Sequence, residues 1–258
     1  MEISLQDRVA LVTGGAQGIG AGIARVLAKA GADVVVCDIQ DDGGQATSQA
    51  VKELGRKSLY VHADVARPDE VEAMMKEVES AFGRLDILVN NAGIEYFRSI
   101  EETTIEEWDR THDVDLKGVF LTIKLGLPLL KKSDHGVVIN IASVHSLATV
   151  PDLGAYAAAK AGLAGLTRSL AMDLGRLGIR AICVSPGFID SPMMQAWVDS
   201  TPNRQETLDR VNAMHPVGRV GTPEDVGNFI AFACSDLGTF IDGINMVIDG
   251  GILTKMHH

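Results

Sequence analysis

Three residues in the second half of the chain, Ser143, Tyr156 and Lys160, have the types and spacing of a proton-transfer site. Tyr156 and Lys160 lie four residues apart in an alanine-rich run that favours a helix, so we expect the phenol and the ammonium to share one helix face. Ser143 ends an apolar run, residues 137–142, that is typical of a buried strand. A nearby ammonium stabilises a phenolate, which favours tyrosine as a base toward an alcohol while a serine steadies the charge on the oxygen.

A glycine-rich segment near the N-terminus predicts that the chain binds a dinucleotide. Residues 9–12 are a short apolar run typical of a buried strand, and residues 13–20 read Thr-Gly-Gly-Ala-Gln-Gly-Ile-Gly before a helical pattern. A second apolar run, residues 34–37, ends on Asp38. Phosphates can bind the amides at the start of such a helix, and a carboxylate after the second strand can bind ribose hydroxyls.

Asp38 also favours NAD over NADP. Its carboxylate can accept hydrogen bonds from both hydroxyls of the adenosine ribose, whereas it would repel a 2′-phosphate. No lysine or arginine stands at positions 16, 17, 39 or 40 to bind that phosphate. The alternative is that Asp38 is only a solvated acid at the end of a strand.

Strand and helix patterns alternate along the chain, which predicts a parallel sheet covered by helices on both faces. Residues 104–130 are expected to form one long helix that Pro128 bends or ends, and residues 188–215 are expected to be a polar, mobile segment over the site. Met193, Met194 and Trp197 could make that segment an apolar lid. We expect the 258 residues to form a single domain, 1–258.

Composition excludes several classes of function. The net charge of −11 argues against a nucleic-acid partner, which needs clustered basic residues. No apolar stretch is long enough to cross a bilayer and no signal peptide is evident, so we expect a soluble, cytoplasmic protein. Three scattered cysteines predict buried free thiols rather than disulfides or a metal site: Cys37, Cys183 and Cys234.

Four ordered motifs make the chain resemble the classical short-chain dehydrogenase/reductase family. They are the glycine-rich segment, Asn-Asn-Ala-Gly at 90–93, Ser143 followed by Tyr156-Ala-Ala-Ala-Lys160, and Pro186-Gly187. The resemblance implies a Rossmann-like doubly wound parallel sheet of about seven strands, NAD(P)(H) as cofactor, and a homotetramer or homodimer. It places cofactor contacts at Gly14, Gln17, Gly18, Ile19, Gly20, Asp38, Asp64, Val65, Asn91, Ala92, Gly93, Tyr156, Lys160, Pro186, Gly187, Ile189 and Ser191.

One position departs from the family pattern. Family members usually carry asparagine where this chain has Asp115, and that asparagine helps to hold a water that links the lysine to solvent. A carboxylate near Lys160 would partly cancel the effect of the ammonium on Tyr156. We therefore count Asp115 with the catalytic residues and expect a proton relay with a changed pH optimum. The alternative is that only the backbone matters at this position.

The residues around Ser143 and Tyr156 are the candidates for contacting a substrate. Besides Ser143 they are His145, Glu95, Tyr96, Leu153, Phe188 and Trp197. The two polar ones, Glu95 and His145, favour a sugar or polyol as the small-molecule substrate of an NAD-dependent dehydrogenase that otherwise acts on secondary alcohols.

Two other functions stay open. The same motifs serve a reductase of 3-oxoacyl thioesters or other ketones, although such enzymes usually prefer NADPH and need a basic patch for an acyl carrier. A catalytically idle NAD-binding or sensing protein would also keep the glycine-rich segment. The intact Ser143, Tyr156 and Lys160 argue against that reading, and only Asp115 favours it.

Overall fold

The computed structural model describes residues 2–254 and contains a sheet of seven strands, all parallel. In chain order the strands are β1 Val9–Thr13, β2 Asp33–Asp38, β3 Ser58–His62, β4 Ile87–Asn90, β5 Val137–Ile141, β6 Arg180–Pro186 and β7 Asn245–Ile248. Their spatial order is β3-β2-β1-β4-β5-β6-β7. This confirms the predicted Rossmann-like, doubly wound parallel sheet.

The central strands are mostly apolar because helices cover both faces of the sheet. In β1, Ala10 and Val12 pack into one core and Val9 and Leu11 into the other. Nine helices surround the sheet in the described residues: α1 Gly18–Lys29, α2 Asp41–Glu53, α3 Pro68–Phe82, α4 Ile105–His112, α5 Gly118–Leu130, α6 Gly154–Gly175, α7 Pro192–Asp199, α8 Arg204–Met214 and α9 Pro223–Cys234.

The strand order reverses direction between β1 and β4. Chain segments leaving these two neighbouring strands diverge to opposite sides, which opens a crevice at their carboxyl ends, the usual ligand position in such folds. The glycine-rich segment follows β1, the Asn-Asn-Ala-Gly segment follows β4, and Ser143 follows β5. The sheet therefore gathers the predicted motifs at one edge.

The segment 104–130 differs from the single regular helix that its sequence predicts. Helices α4 and α5 are joined by one turn of π-helix, Asp113–Lys117, which widens the helix by one residue per turn. Pro128 lies inside α5 but does not end it, since the helix continues to Leu130. The π-helical turn contains Asp115.

The expected mobile segment, residues 188–215, folds into the two short helices α7 and α8. Met194, Val198 and Val211 form a small buried cluster that holds these helices together. Side chains cap both: Ser191 accepts from the Met194 amide and Asn203 from the Glu206 amide. No helix among residues 2–254 is long and apolar enough to cross a membrane.

Candidate active site

Two turns at the edge of the sheet, one after β1 and one after β4, are joined by hydrogen bonds and line a cavity of about 240 Å³. The Asn91 side-chain amide donates to the carbonyls of Thr13 and Gly14, at 3.0 and 2.9 Å. The Thr13 hydroxyl in turn accepts from the backbone amides of Asn91 and Ala92. Gly14 has φ +63°, and a Cβ there would lie 2.7 Å from the Ala92 Cα, so only glycine fits this approach.

Helix α1 begins at this cavity with its amides free. Its N-cap, Gln17, makes no side-chain capping hydrogen bond, and its first turn contains no acid. Helices α4 and α9 begin with reciprocal capping boxes, whereas α2, α3 and α6 also lack a side-chain cap. An uncapped helix start has unpaired amides and a positive dipole end, which fits a pyrophosphate.

Asp38 lies at the far end of the same cavity and is only 8% exposed. Its Oδ2 accepts from the Ala16 amide at 2.9 Å and its Oδ1 from the Gln40 amide at 3.0 Å. A carboxylate has about four lone-pair sites, so each oxygen can still accept a ribose hydroxyl. Asp38 can therefore accept hydrogen bonds from the ribose of a nucleotide in this cavity.

Arg110 is a cavity residue that the sequence reading missed. It reaches from α4 to Asp64, with 2.9 Å between its Nη2 and the Asp64 Oδ2. This ion pair ties α4 to the loop after β3, next to the predicted adenosine position. Because Asp64 pairs with it, the guanidinium is partly neutralised where a 2′-phosphate would need a cation.

Lys160 and Tyr156 project from the same face of α6 into the crevice, as their spacing predicts. Lys160 is 3% exposed, and its Nζ lies 5.4 Å from the centre of the Tyr156 ring. The ammonium donates to the Ile141 carbonyl at 3.1 Å and forms an ion pair with Asp115 Oδ2, also at 3.1 Å. Burial disfavours the charge of Lys160, but Asp115 and Tyr156 outweigh burial and its pKa is raised.

Asp115 is fully buried on the π-helical turn. Its Oδ1 accepts from the backbone amide of Ile94 at 2.9 Å, which fixes the segment that follows the Asn-Asn-Ala-Gly turn. Burial raises the pKa of Asp115, while the ammonium of Lys160 acts in the opposite direction. The structure thus brings Asp115 into direct contact with Lys160.

The pKa of Tyr156 is raised rather than lowered. Burial is the main cause; Lys160 lowers the pKa, and the charges of Asp115 and Glu95 raise it. A hydrogen bond with Ser143 also lowers it. Lys160 therefore lowers the pKa of Tyr156 as predicted, but burial and the two carboxyl groups raise that pKa by more.

A second cavity, of about 430 Å³, meets the first one at Tyr156 and is the candidate substrate site. Besides Tyr156 it is lined by Ile19, Glu95, Phe97, Ala142, Ser143, Val144, His145, Val150, Leu153, Pro186, Gly187, Phe188, Ile189, Ser191, Met193, Met194, Trp197, Arg210, Val211 and Met214. Most of these side chains are apolar. Burial and the charge of Asp115 raise the pKa of Glu95 to about 7, so this acid is largely uncharged below neutral pH.

Comparison with known proteins gives a consistent assignment. The family model described as enoyl-(acyl carrier protein) reductase matches residues 14–253. Trans-4-hydroxycyclohexanecarboxylate dehydrogenase from Sinomonas cyclohexanicum is 39% identical over 95% of this chain and 92% of its own. Cyclohexanol dehydrogenase from an Acinetobacter strain is 35% identical over 99% of this chain and 98% of its own. A putative short-chain alcohol dehydrogenase from Sinorhizobium meliloti superposes with a TM-score of 0.92, at 31% identity, covering 99% of this chain and 100% of that one.

The chain belongs to the short-chain dehydrogenase/reductase family. It is therefore an oxidoreductase of a family that binds a nicotinamide cofactor. The three predicted site residues lie where its two cavities meet: Ser143 lines the second cavity, Lys160 the first, and Tyr156 both.

Most of the predicted cofactor positions of this dehydrogenase/reductase line the first cavity, and four do not. Gly20 lies behind the glycine-rich turn, where a Cβ would be 2.1 Å from the Gly14 carbonyl oxygen. Pro186, Gly187 and Ile189 line the second cavity instead, and Ser191 lines both. Pro186 ends β6, and Gly187 and Ile189 follow it directly.

The predicted substrate residues line the second cavity with one exception. Tyr96 is 37% exposed and does not line this cavity, whereas Phe97, the next residue, does. The segment at 94–97 is irregular, so its side chains do not alternate predictably. Arg210 and Met214 were also missed, since they lie on α8, about 50 residues from Tyr156, and nothing local in the sequence indicates that α8 faces the site.

Proposed function

We propose that this protein is an NAD-dependent dehydrogenase of secondary alcohols, in which Tyr156 is the general base. The observation that carries the proposal is the position of Tyr156, Ser143 and Lys160 at the junction of a dinucleotide-shaped cavity and an apolar cavity. An alcohol in the second cavity reaches Tyr156 next to the position of the nicotinamide. NAD, when bound, supplies the acceptor for the hydride that leaves the carbinol carbon.

The side chains divide the remaining work. Ser143 donates a hydrogen bond to the substrate oxygen, and Tyr156 takes the hydroxyl proton. Lys160 stabilises the phenolate by charge, since its Nζ lies 5.4 Å from the Tyr156 ring centre. Asp115 holds Lys160 in place through the 3.1 Å ion pair. Its carboxylate also raises the pKa of Tyr156, which Lys160 lowers.

The preference for NAD is supported by Asp38 and by the pairing of Arg110. A buried carboxylate at the adenosine end repels a 2′-phosphate. Arg110 is the one arginine of the described chain that lines this cavity, and it is engaged with Asp64. The 2′-phosphate of NADP would be repelled by Asp38 and attracted only weakly by Arg110, whose charge is partly neutralised by Asp64.

The cavity lining favours a ring-sized apolar alcohol over a sugar or polyol. Its polar groups are few beyond Ser143 and Tyr156, and Glu95 is largely uncharged below neutral pH. Trp197 stacks on Phe188, with 5.6 Å between the ring centres, as one apolar wall. Two relatives named above are dehydrogenases of cyclohexanol and of a hydroxycyclohexanecarboxylate, which supports the same substrate class.

A second candidate is the reduction of 3-oxoacyl thioesters or other ketones. The description of the matching family model as enoyl-(acyl carrier protein) reductase favours it. Asp38 and the net charge of −11 oppose it, because carrier-dependent reductases use NADPH and a basic docking patch. A catalytically idle NAD-binding protein is the third candidate.

We also propose a homotetramer, or a homodimer, in the cytoplasm. Several large apolar side chains are exposed, including Ile105, Phe120, Met172 and Phe240. A symmetric assembly would cover side chains of this kind. All three cysteines are buried and free, which is usual in a reducing compartment.

The proposed function is tested by NADH formation with a panel of alcohols. The panel contains cyclohexanol, other ring alcohols, aldoses and polyols, with NADP run in parallel, and ketones with NADH in the reverse direction. We expect turnover with NAD and ring alcohols. Turnover confined to NADPH and 3-oxoacyl thioesters would replace the proposal by the reductase, and NAD binding without any turnover would support the idle protein.

Tyr156→Phe tests the assignment of the base. Removal of the hydroxyl takes away the group that accepts the proton, so we expect kcat to fall by about a hundredfold or more. The NAD dissociation constant, measured by calorimetry, is expected to change little, because the ring and its packing remain. If Tyr156→Phe keeps the kcat of the wild type, Tyr156 is not the general base.

A further inference from the structure

Arg210 is a charged side chain on the wall of the otherwise apolar substrate cavity. It lies on α8 with Val211 and Met214, and all three line the cavity. Within the described part of the chain, Arg210 is the only lysine or arginine among the lining residues. Arg210 is an exposed residue, and it lines the same cavity as Ser143 and Tyr156, from which it is distant in sequence.

No acid neutralises this guanidinium in the described residues. The acids nearest to Arg210 on its own helix are engaged elsewhere: Glu206 accepts from Asn203 and Asp209 accepts from Gln205. By contrast, Arg204 at the start of α8 is paired with Asp199 at 2.8 Å and donates to Gln195. The exposed guanidinium of Arg210 is therefore available to an anionic group in the cavity.

Glu95 is the only acid among the described residues that line this cavity. Glu95 lines the cavity beside the catalytic residues, and Asp115 lies behind it in contact with Lys160. Glu95 makes no ion pair with Arg210 in the described structure. Because the raised pKa of Glu95 leaves that acid largely uncharged below neutral pH, Arg210 is the lining side chain that can attract the anionic group of a hydroxy acid, which leaves the hydroxyl for Ser143 and Tyr156.

We propose that Arg210 is a specificity residue that binds an anionic group, such as a carboxylate, on the substrate at a position remote from the reacting hydroxyl. The guanidinium fork matches a carboxylate in a bidentate geometry, and the apolar lining holds the ring between the two polar ends. The inference rests on the proposed function and narrows its substrate class to ring alcohols that carry an acid.

The test compares an acid with its neutral ester. The substrates are trans-4-hydroxycyclohexanecarboxylate and its methyl ester, measured with NAD for the wild type and for Arg210→Gln. We expect Arg210→Gln to lower kcat/KM for the acid about tenfold, mainly through KM, and to change that for the ester less than about twofold. Arg210→Lys, which keeps the charge, should restore part of the loss.

Arg204→Gln is the matched control, because it removes the same charge from the same helix outside the cavity. Arg204→Gln should leave the ratio of kcat/KM for the acid to kcat/KM for the ester unchanged. If the wild type oxidises both substrates and Arg210→Gln does not alter that ratio, the assignment of Arg210 is wrong while the proposed function stands.

A binding measurement separates this inference from the proposed function. Cyclohexanecarboxylate has no hydroxyl to oxidise, so its affinity for the protein saturated with NADH can be measured by calorimetry without turnover. We expect binding that Arg210→Gln weakens about tenfold and Arg204→Gln does not. Equal affinity in the wild type and Arg210→Gln would overturn the assignment, whether or not any alcohol is oxidised.

Discussion

Lys160 and Asp115 form an ion pair, and they have opposite effects on the pKa of Tyr156. The charge of Lys160 lowers the pKa of Tyr156, and the Asp115 carboxylate, 3.1 Å from the Lys160 Nζ, raises that pKa. Asp115 also raises the pKa of Lys160 itself, against the effect of burial. A carboxylate at this position therefore stabilises the lysine in its charged form and delays ionisation of the tyrosine as the pH rises.

Asp115→Asn is expected to move the pH–rate profile of alcohol oxidation to lower pH. Loss of the carboxylate removes one cause that raises the pKa of Tyr156, so the phenolate forms at lower pH and the rising limb of kcat/KM shifts with it. The measurement is kcat/KM against pH with a fixed alcohol. Asp113→Asn, an exposed change on the same π-helical turn, is the control, and coincident profiles for Asp115→Asn and the wild type would contradict the prediction.

At the scale of elements, the site depends on how α1 meets the turn after β4. Asn91 donates to the Gly14 carbonyl, and the same oxygen lies under Gly20 in the first turn of α1. The helix start, the glycine-rich turn and the Asn-Asn-Ala-Gly turn are therefore in mutual contact. The π-helical turn between α4 and α5 has a comparable role, since it places Asp115 against both Lys160 and the Ile94 amide.

Gly20→Ala is expected to weaken NAD binding about tenfold or more. The new Cβ would lie 2.1 Å from the Gly14 carbonyl oxygen and 2.5 Å from Asn91 Nδ2, so α1 or the turn has to shift. Calorimetric titration with NAD measures the change. The control is Gly165→Ala, a helical glycine whose added Cβ would meet nothing closer than Arg168 Nη2 at 3.7 Å, and equal NAD affinities for the two variants would contradict the prediction.

At the scale of the whole molecule, some exposed apolar side chains line neither of the two cavities. Phe240 is fully exposed beside β7, the strand at one edge of the sheet, and Met172 is 70% exposed on α6. An edge strand with apolar neighbours is a surface that proteins usually cover. The proposed assembly would bury such groups, and it would also hold β6, β7 and the adjoining cavity wall in place.

Phe240→Asp is expected to reduce the mass of the assembly in solution. A carboxylate at a buried apolar contact would be desolvated without a partner, so the interface that includes residue 240 is expected to dissociate. Light scattering after size-exclusion chromatography measures the mass. Leu54→Asp, an exposed apolar-to-acid change beyond α2 near the opposite edge of the sheet, is the control; a monomeric wild type would refute the assembly itself.

The sequence by itself determined what depends on local periodicity and motif spacing. Tyr156 and Lys160 are four residues apart, which places both on one face of a helix regardless of their surroundings. The apolar runs of the sequence are enough to predict the buried strands β1 and β2, with Asp38 at the end of β2. The tertiary structure decided what depends on packing between distant segments. The π-helical turn that brings Asp115 to Lys160, the exclusion of Tyr96 from the cavity and the presence of Arg210 in it are of this kind. These three features have the same physical reason. The packing of α4, α6 and α8 around one sheet decides which side chains line a cavity, and no local pattern in the sequence encodes that packing.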